Sequence, residues 1–180
     1  MPLDVDKLSL RFLRDVEPTV YASFESGRTS LDEFLKEDAH AYDQHGLTTT
    51  VLAFHDDHEC PVAYFSLSTD SVKLSGVELT DLGLPFSTPI KFFPALKLTK
   101  LAVLHRLQND GLGSYLIDLI CGLVSDTPFA VRLITVDAIN HDDVIGFYAK
   151  VGFIESLNHS PARVGMASRE TLLMYKDLYQ

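Results

Sequence analysis

Regular spacing of apolar residues divides this chain into short strands and amphipathic helices. Residues 49–54 and 62–67 are rich in β-branched and aromatic side chains, and the polar residues 55–59 separate them. This pattern predicts a β-hairpin. Residues 7–13 carry a weaker strand pattern, and residues 20–24 fit a short helix.

A longer amphipathic helix is predicted between these elements. Ser30 and Glu33 have the Ser-x-x-Glu spacing of a capping box, in which each side chain bonds the backbone N–H of the other residue. Gly46 is suited to end the helix because glycine readily adopts the left-handed conformation of a C-cap. Its predicted buried face consists of Leu31, Phe34, Leu35 and Tyr42.

Residues 68–93 show no regular period and contain Gly76, Gly83, Pro85 and Pro89. A long irregular connection in a compact domain is often functional. Two interpretations remain open: the segment shapes a substrate entrance, or it is a surface excursion.

The second half of the chain alternates between strands and helices. An apolar strand over residues 95–104 leads through a glycine-containing turn into a helix over residues 112–125, whose apolar residues share one face. Residues 129–136 form a nearly unbroken apolar run, which is typical of a buried strand.

The last elements complete a mixed α/β pattern. Asn140 is predicted to cap a helix that carries Asp142 and Asp143 in its first turn and stops at Gly152. Closing strands are predicted over residues 153–157 and 172–178. The order of elements predicts a single domain over residues 1–180, with a mixed sheet and helices on its faces.

Composition and charge indicate the cellular compartment of the protein and disfavour some classes of binding partner. The chain has 180 residues, 46% of them hydrophobic, and its net charge is −10. This acidic balance disfavours nonspecific binding to nucleic acids and to anionic membranes. Cys60 and Cys121 give no disulfide framework and suit a reducing cytoplasm. We expect no signal peptide, no membrane span and no metal site.

One segment departs from the acidic balance. Residues 82–109 contain no acidic residue, yet they include Lys91, Lys97, Lys100 and Arg106. The segment is either an ordinary solvated surface or a local positive field for cofactor phosphates or RNA.

The glycine turn between strand and helix is the strongest chemical signal. Gly111 lets the backbone approach a ligand closely, and the first N–H groups of the following helix lack partners within the helix. Such a turn is suited to a phosphate or pyrophosphate. The turn is not the phosphate loop of a nucleotide hydrolase, because no Gly-Lys-Ser/Thr follows it. It is not a Rossmann dinucleotide-binding fingerprint either, because the third glycine is missing.

Three separated blocks resemble the GNAT superfamily of N-acetyltransferases. They are Leu101-Ala-Val103 with Gln108-x-x-Gly111-x-Gly113, then Val136-Asp-Ala138, and then Phe147-Tyr148-x-x-x-Gly152-Phe153. Residues 24–71 resemble the TacT-like toxin branch of that superfamily. The resemblance implies a largely antiparallel twisted sheet, acetyl-CoA as co-substrate, transfer to a primary amine, and a possible homodimer and antitoxin partner.

The resemblance also implies individual roles. Tyr148 protonates the thiolate of CoA as it leaves. The cofactor-binding residues are Leu101, Ala102 and Val103 for the pantetheine arm, and Gln108, Asn109, Asp110, Gly111, Leu112, Gly113 and Ser114 for the pyrophosphate. The family asparagine that contacts CoA falls at His141 here, and Asn140 precedes it as the nearest candidate.

Several alternatives remain open at this stage. The acceptor amine belongs to a small molecule, a peptide or an aminoacyl-tRNA; the last makes the protein a toxin that blocks translation. The general base is Glu78, His105, His141 or a water chain. The competing class is a noncatalytic CoA-binding or interaction domain, since fold alone does not establish function.

Overall fold

The computed structural model describes residues 3–158 and 170–180. In these ranges seven strands form one sheet with the order β1-β2-β3-β4-β5-β7-β6. The strands are β1 (Leu8–Phe12), β2 (Thr49–His55), β3 (Ala63–Val72), β4 (Phe93–Val103), β5 (Leu133–Ile139), β6 (Ile154–Glu155) and β7 (Thr171–Asp177). Strand β4 pairs with β5 in parallel, whereas the pairs β1–β2, β2–β3, β5–β7 and β6–β7 are antiparallel. The predicted mixed, largely antiparallel sheet is confirmed.

Helices connect most of these strands. They are α1 (Pro18–Tyr21), α2 (Thr29–Glu33), α3 (Ala39–Gln44), α4 (Gly76–Asp81), α5 (Leu112–Ser125) and α6 (Asp142–Lys150). A π-helical turn, Phe34–Asp38, joins α2 to α3.

The chain divides into two compact units, Met1–Ser68 with Leu98–Asp118 and Thr69–Lys97 with Leu119–Gln180. The core of the first unit contains Phe24 and Tyr64, whose rings meet edge to face with centroids 5.6 Å apart. The Tyr64 hydroxyl donates to the carbonyl of Leu31 at 2.7 Å, so this buried phenol is satisfied. The prediction of a single domain stays a prediction.

The second unit has its own core, around Val72, Leu82, Phe93, Leu133 and Tyr175. Arg132 connects three chain segments beside it. Its Nη2 donates to the Leu82 carbonyl at 3.1 Å and to the Asp177 carboxylate at 2.6 Å, and its guanidinium lies 4.8 Å from the Tyr179 ring centroid.

The first long helix begins differently from the prediction. Arg28 is its N-cap and makes no side-chain cap bond, so Ser30 and Glu33 form no capping box. Asp32 is engaged instead, because its Oδ1 accepts from the backbone N–H and the hydroxyl of Ser26. Gly46 does adopt a left-handed φ of 67° after α3, as a C-cap requires.

The predicted burial of Tyr42 is wrong. The side chain is 40% exposed, although its ring meets that of Phe34. In the π-helical turn the Ala39 N–H bonds the Phe34 carbonyl, five residues back. The wider turn shifts every following position around the helix axis relative to an ideal α-helix, which the sequence pattern assumed.

The stretch predicted to be irregular contains regular structure in its first half. Strand β3 extends to Val72, and helix α4 follows. Ser75 and Glu78 form the capping box of α4, since the Glu78 carboxylate accepts from the Ser75 N–H at 2.6 Å and the Ser75 hydroxyl accepts from the Glu78 N–H at 3.3 Å.

Two boundaries in the second half also differ from the prediction. Strand β5 begins at Leu133 rather than residue 129, and Phe129 is 77% exposed. His141, not Asn140, caps α6, because its Nδ1 accepts from the Asp143 N–H. Gly152, with φ of 90°, ends the helix as predicted.

Candidate functional site

The end of β4 is fixed by hydrogen bonds to two neighbouring segments of its own unit. The Leu104 N–H donates to the Val62 carbonyl and the His105 N–H to the Glu25 carbonyl, each at 2.8 Å. A single 3₁₀ turn, His105–Leu107, then reverses the chain toward α5. The imidazole of His105 lies against Gly27, where an added Cβ would stand 2.8 Å from its Nδ1. Glycine at 27 therefore lets these two segments approach.

Gln108 anchors the predicted phosphate turn through its side-chain amide. Its Nε2 donates to the Ser26 carbonyl at 2.7 Å and to the Val103 carbonyl at 3.0 Å. Both protons of the side-chain amide are thus used within the protein. The geometry makes Gln108 a residue that positions the turn.

The turn itself adopts an unusual backbone conformation. Asn109 has φ of 67° and Gly111 has φ of 90°, both in the left-handed region. A Cβ added to Gly111 would have no neighbour within 4 Å, so the space beside it is open. Successive N–H groups in such turns form a concave anion site, and the dipole of α5 adds partial positive charge there.

The buried face of α5 holds this helix end in place. Leu112, Leu116, Ile117 and Ile120 are buried, whereas Asn109, Asp110 and Gly111 are exposed. Gly113 and Ser114 are half-buried, as are Leu101 and Val103 on β4, with Ala102 buried between them. The predicted cofactor residues of this unit therefore form one continuous strand–turn–helix, anchored inside and open outside.

Arg106 is oriented by a histidine of the hairpin. Its Nη2 donates to His58 Nδ1 at 3.1 Å. Partial burial and the adjacent Arg106 guanidinium lower the pKa of His58, which favours the neutral imidazole that this hydrogen bond requires. His55 is also committed, because its Nε2 donates to the Asp4 carbonyl while its Nδ1 accepts from the Asp57 N–H.

Tyr148 lies in the last turn of α6, in the second unit. It is 8% exposed, and its ring lies edge to face with Phe147 and Phe153, with centroids 5.1 and 5.3 Å away. The C-terminal cap fixes its backbone, since the Phe153 N–H donates to the Tyr148 carbonyl at 3.0 Å. Burial raises the pKa of Tyr148 to about 12, so the phenol stays protonated at neutral pH.

Asn140 lies between β5 and α6 and is exposed. Its backbone N–H donates to the Glu170 carbonyl at 2.8 Å, which fixes the main chain before the helix. The adjacent His141 ring is held by its capping bond, so the two residues have different local roles.

The three candidate bases have different environments in the structure. Glu78 is 2% exposed and bonds the Ser75 and Leu157 N–H groups. Burial opposes its ionisation, but these hydrogen bonds outweigh burial and lower the pKa of Glu78. A carboxylate so committed is a poor proton acceptor, so Glu78 is a structural residue. His105 and His141 are both exposed.

Residues 82–109, which contain no acidic residue, are referred to as the acid-free segment. Three of its four lysine and arginine side chains have partners in their own unit. Lys97 Nζ lies 2.5 Å from the Asp137 carboxylate, Lys100 Nζ lies 5.0 Å from the Phe34 ring centroid, and Arg106 bonds His58. Within the described part of the chain, Lys91 makes no ion pair or hydrogen bond.

Each unit also contains a predominantly acidic cleft, which sequence reasoning missed because each cleft combines chain segments that only the folded structure brings together. The cleft of the first unit, about 400 Å³, is lined by Glu25, Gly27, Thr29, Asp32, Glu33, Lys36, Glu37 and His105. The cleft of the second, about 460 Å³, is lined by Asp70, Ser71, Val72, Lys97, Asp137, Glu170, Thr171 and Leu173. Their charge suits cationic rather than anionic groups.

Among the described helices, none has both the length and the apolar character that crossing a bilayer requires. No protein-family model matches the sequence, and no curated protein matches it.

Solved structures, in contrast, match over nearly the whole chain. A tyrosine-to-phenylalanine variant of KacT matches with a TM-score of 0.72 at 16% identity, over 96% of each chain. AtaT complexed with acetyl-methionyl-tRNAfMet matches with a TM-score of 0.69 at 19% identity, over 93% of each chain. The chain has the GNAT fold.

A third match adds a protein partner to the set of similar structures. A variant of the AtaT toxin, bound to the C-terminus of the antitoxin AtaR and to acetyl-CoA, has a TM-score of 0.68 at 16% identity and covers 97% of this chain and 95% of its own. At these identities the similarity establishes the GNAT fold of the chain.

Proposed function

We propose that this GNAT-fold chain is an N-acetyltransferase that moves the acetyl group of acetyl-CoA to a primary amine. The observation that carries the proposal is the strand–turn–helix from β4 to α5. Its left-handed Asn109 and Gly111 present the N-terminus of a 14-residue helix to solvent. Such a helix end is a fitting seat for a pyrophosphate.

The turn would hold the cofactor through its main chain. Backbone N–H groups of residues 110–114 bind the pyrophosphate, and the backbone of residues 101–103 pairs with the pantetheine arm. Gln108 and Asn109 shape the turn, and the open space beside Gly111 fits a ligand that a side chain there would displace. Asn140 is retained as a proposed CoA contact near α6.

Tyr148 is the proposed general acid. Bound acetyl-CoA supplies an activated acyl group, whose C–S bond breaks as the amine nitrogen bonds the carbonyl carbon. The Tyr148 hydroxyl donates a hydrogen bond and then its proton to the departing sulfur. The amine nitrogen loses its proton to solvent, and the phenolate regains a proton from solvent before the next turnover. Its raised pKa keeps this proton in place at neutral pH.

A second, more specific function is favoured by the toxin structures that share the fold. AtaT has been captured with acetyl-methionyl-tRNAfMet and with an antitoxin segment. We therefore propose aminoacyl-tRNA as the acceptor and an antitoxin as protein partner. The homodimer stays a prediction. The pairing of Lys97 with Asp137 removes that lysine from the expected RNA contacts, which leaves Lys91 as the stronger candidate.

The test is thiol release from acetyl-CoA with free amines and with charged tRNA, for the wild type and for Tyr148→Phe. Acetylation of charged tRNA that the variant largely loses supports both proposals. Turnover with free amines alone retains the acetyltransferase and removes the tRNA toxin. CoA binding without turnover on any amine supports the noncatalytic alternative.

A further inference from the structure

The connection from α4 to β4, residues 82–92, exposes large aromatic side chains. Phe86 is 65% exposed, Phe92 is 59% exposed, and Ile90 between them is also exposed. Scattered exposed apolar residues are ordinary, but two phenylalanines in one short connection are a group that a partner would cover. We refer to residues 82–92 as the aromatic connection.

The protein anchors the aromatic connection at both ends. Leu82 and Phe93 are buried, and the Leu82 carbonyl accepts from Arg132. Within the connection, the Ile90 N–H donates to the Thr88 hydroxyl at 3.2 Å. Its rings are therefore presented from a segment that is fixed to the second unit.

The charge of the aromatic connection is purely positive. It contains Lys91 and no acidic residue, in a chain whose net charge is −10. Lys91 is the cation of the acid-free segment that has no partner among the described residues, whereas Lys97, Lys100 and Arg106 are engaged. An unpartnered lysine and exposed rings on the same short connection are a combination that suits unpaired nucleotides: rings stack on bases, and the cation contacts phosphate.

We propose that the aromatic connection binds the unpaired 3′ nucleotides of the acceptor RNA, with Phe86 and Phe92 as stacking platforms and Lys91 as the phosphate contact. This inference rests on the proposed aminoacyl-tRNA function and assigns that substrate a surface. It also explains how an acidic protein binds RNA, because stacking does not depend on net charge.

The test measures binding of a fluorescent RNA hairpin with a four-nucleotide unpaired 3′ end, by anisotropy across a salt series. The double variant Phe86→Leu/Phe92→Leu should bind at least tenfold more weakly, with an unchanged salt slope. A plot of log K against log salt has a negative slope, and Lys91→Gln should make that slope shallower by about 0.7, the value for one single-strand phosphate contact. A blunt hairpin should bind all variants alike.

Matched controls lie in the same unit. Phe129→Leu removes a comparably exposed ring, and Lys73→Gln removes an exposed lysine; both should bind like the wild type. Thermal unfolding confirms that each variant folds. Wild-type affinity in the double variant, or an equal loss in the Phe129 control, overturns the inference. Weakened self-association or antitoxin binding with unchanged RNA affinity also overturns it.

Acetylation of a free amine, measured in parallel, separates the two proposals. The wild type and the four variants should all turn over the free amine equally, because the aromatic connection is assigned to RNA and not to chemistry. If no protein turns over any amine or charged tRNA, the proposed function fails while the hairpin measurements still decide the assignment of this surface.

Discussion

The turn after β4 and the helix α6 contribute to the proposed chemistry in opposite ways. At the turn, the proposed binding groups are main-chain N–H groups whose direction depends on the left-handed Asn109 and Gly111, both exposed to solvent. At α6, the proposed acid is the single phenol of Tyr148, buried beside Phe147 and Phe153. A main-chain site fails when its conformation changes, whereas a side-chain site fails when one atom is removed. Changes at the turn should therefore alter binding, and changes at α6 should alter rate.

The largest expected effect tests the α6 half of this comparison. Tyr148→Phe should lower kcat by roughly 10²-fold and leave the Kd for acetyl-CoA unchanged, because only a transition-state interaction is lost. Steady-state kinetics and calorimetric titration measure the two quantities. Tyr179→Phe, which retains its ring over Arg132, is the control. A normal kcat in Tyr148→Phe removes the acid assignment.

The pH profile extends this prediction. Because burial raises the pKa of Tyr148 to about 12, the phenol should not limit kcat between pH 7 and about 10. A falling alkaline limb below pH 10 that Tyr148→Phe abolishes would contradict the assigned environment.

The next effect concerns the support of the second unit. Glu78→Gln should lower the free energy of unfolding by about 2 kcal/mol, since a buried amide replaces a carboxylate that bonds two backbone N–H groups. The pKa of Glu78 is lowered from 4.5 in the folded state. Its stabilisation is therefore complete above the unfolded pKa and is lost as pH falls through the folded pKa.

Denaturant titrations at pH 7 and below pH 4 measure that difference. The gap between wild type and Glu78→Gln should narrow in acid. Glu33→Gln is the matched control, because Glu33 has the same Ser-x-x-Glu spacing without a capping box. An equal loss in the control would show that the cap of α4 is not the cause.

At the turn, Gly111→Val should weaken acetyl-CoA binding at least tenfold, about 1.4 kcal/mol. Valine both fills the open space and disfavours φ of 90°. Gly111→Ala shares the backbone strain with less bulk and should lose less affinity. Gly46→Val, also left-handed but outside the turn, should bind CoA normally. If the wild type and all three variants bind acetyl-CoA with equal affinity, the glycine turn does not bind the cofactor.

The smallest effect comes from the anchor of the turn. Gln108→Leu removes two hydrogen bonds to carbonyl groups and should weaken acetyl-CoA binding by about 1 kcal/mol, roughly fivefold, with kcat unchanged. Titration against Gln44→Leu, on an exposed helix position, isolates the effect. A loss of kcat without a loss of affinity would assign Gln108 to chemistry instead.

The sequence predicted the sheet and the strand–turn–helix because these depend on local signals. Apolar runs identify strands, and Gly111 and Gly152 stand where left-handed residues are needed. The two Ser-x-x-Glu patterns show the limit of such signals. Ser75 caps α4, whereas Ser30 does not cap because the helix already begins after Arg28.

Other differences arise from tertiary structure. Glu78 resembled a possible base until Leu157, 79 residues away, proved to donate to it. Apolar Phe129 lengthened the predicted strand, although β5 pairs with β7 only from Leu133 onward. The sequence places Lys97 among the cations of a segment without acidic residues, whereas in the structure its ammonium pairs with the Asp137 carboxylate. Each depends on contacts between segments that are distant in sequence.

The π-helical turn Phe34–Asp38 has a consequence for comparing this chain with its relatives. A π-helical segment, whose bonds link residues five apart, holds one residue more than a regular helix of the same length. An alignment without a gap here would assign residues of α3 to the wrong face. Deleting one residue between 34 and 38 should therefore restore a regular helix over this segment.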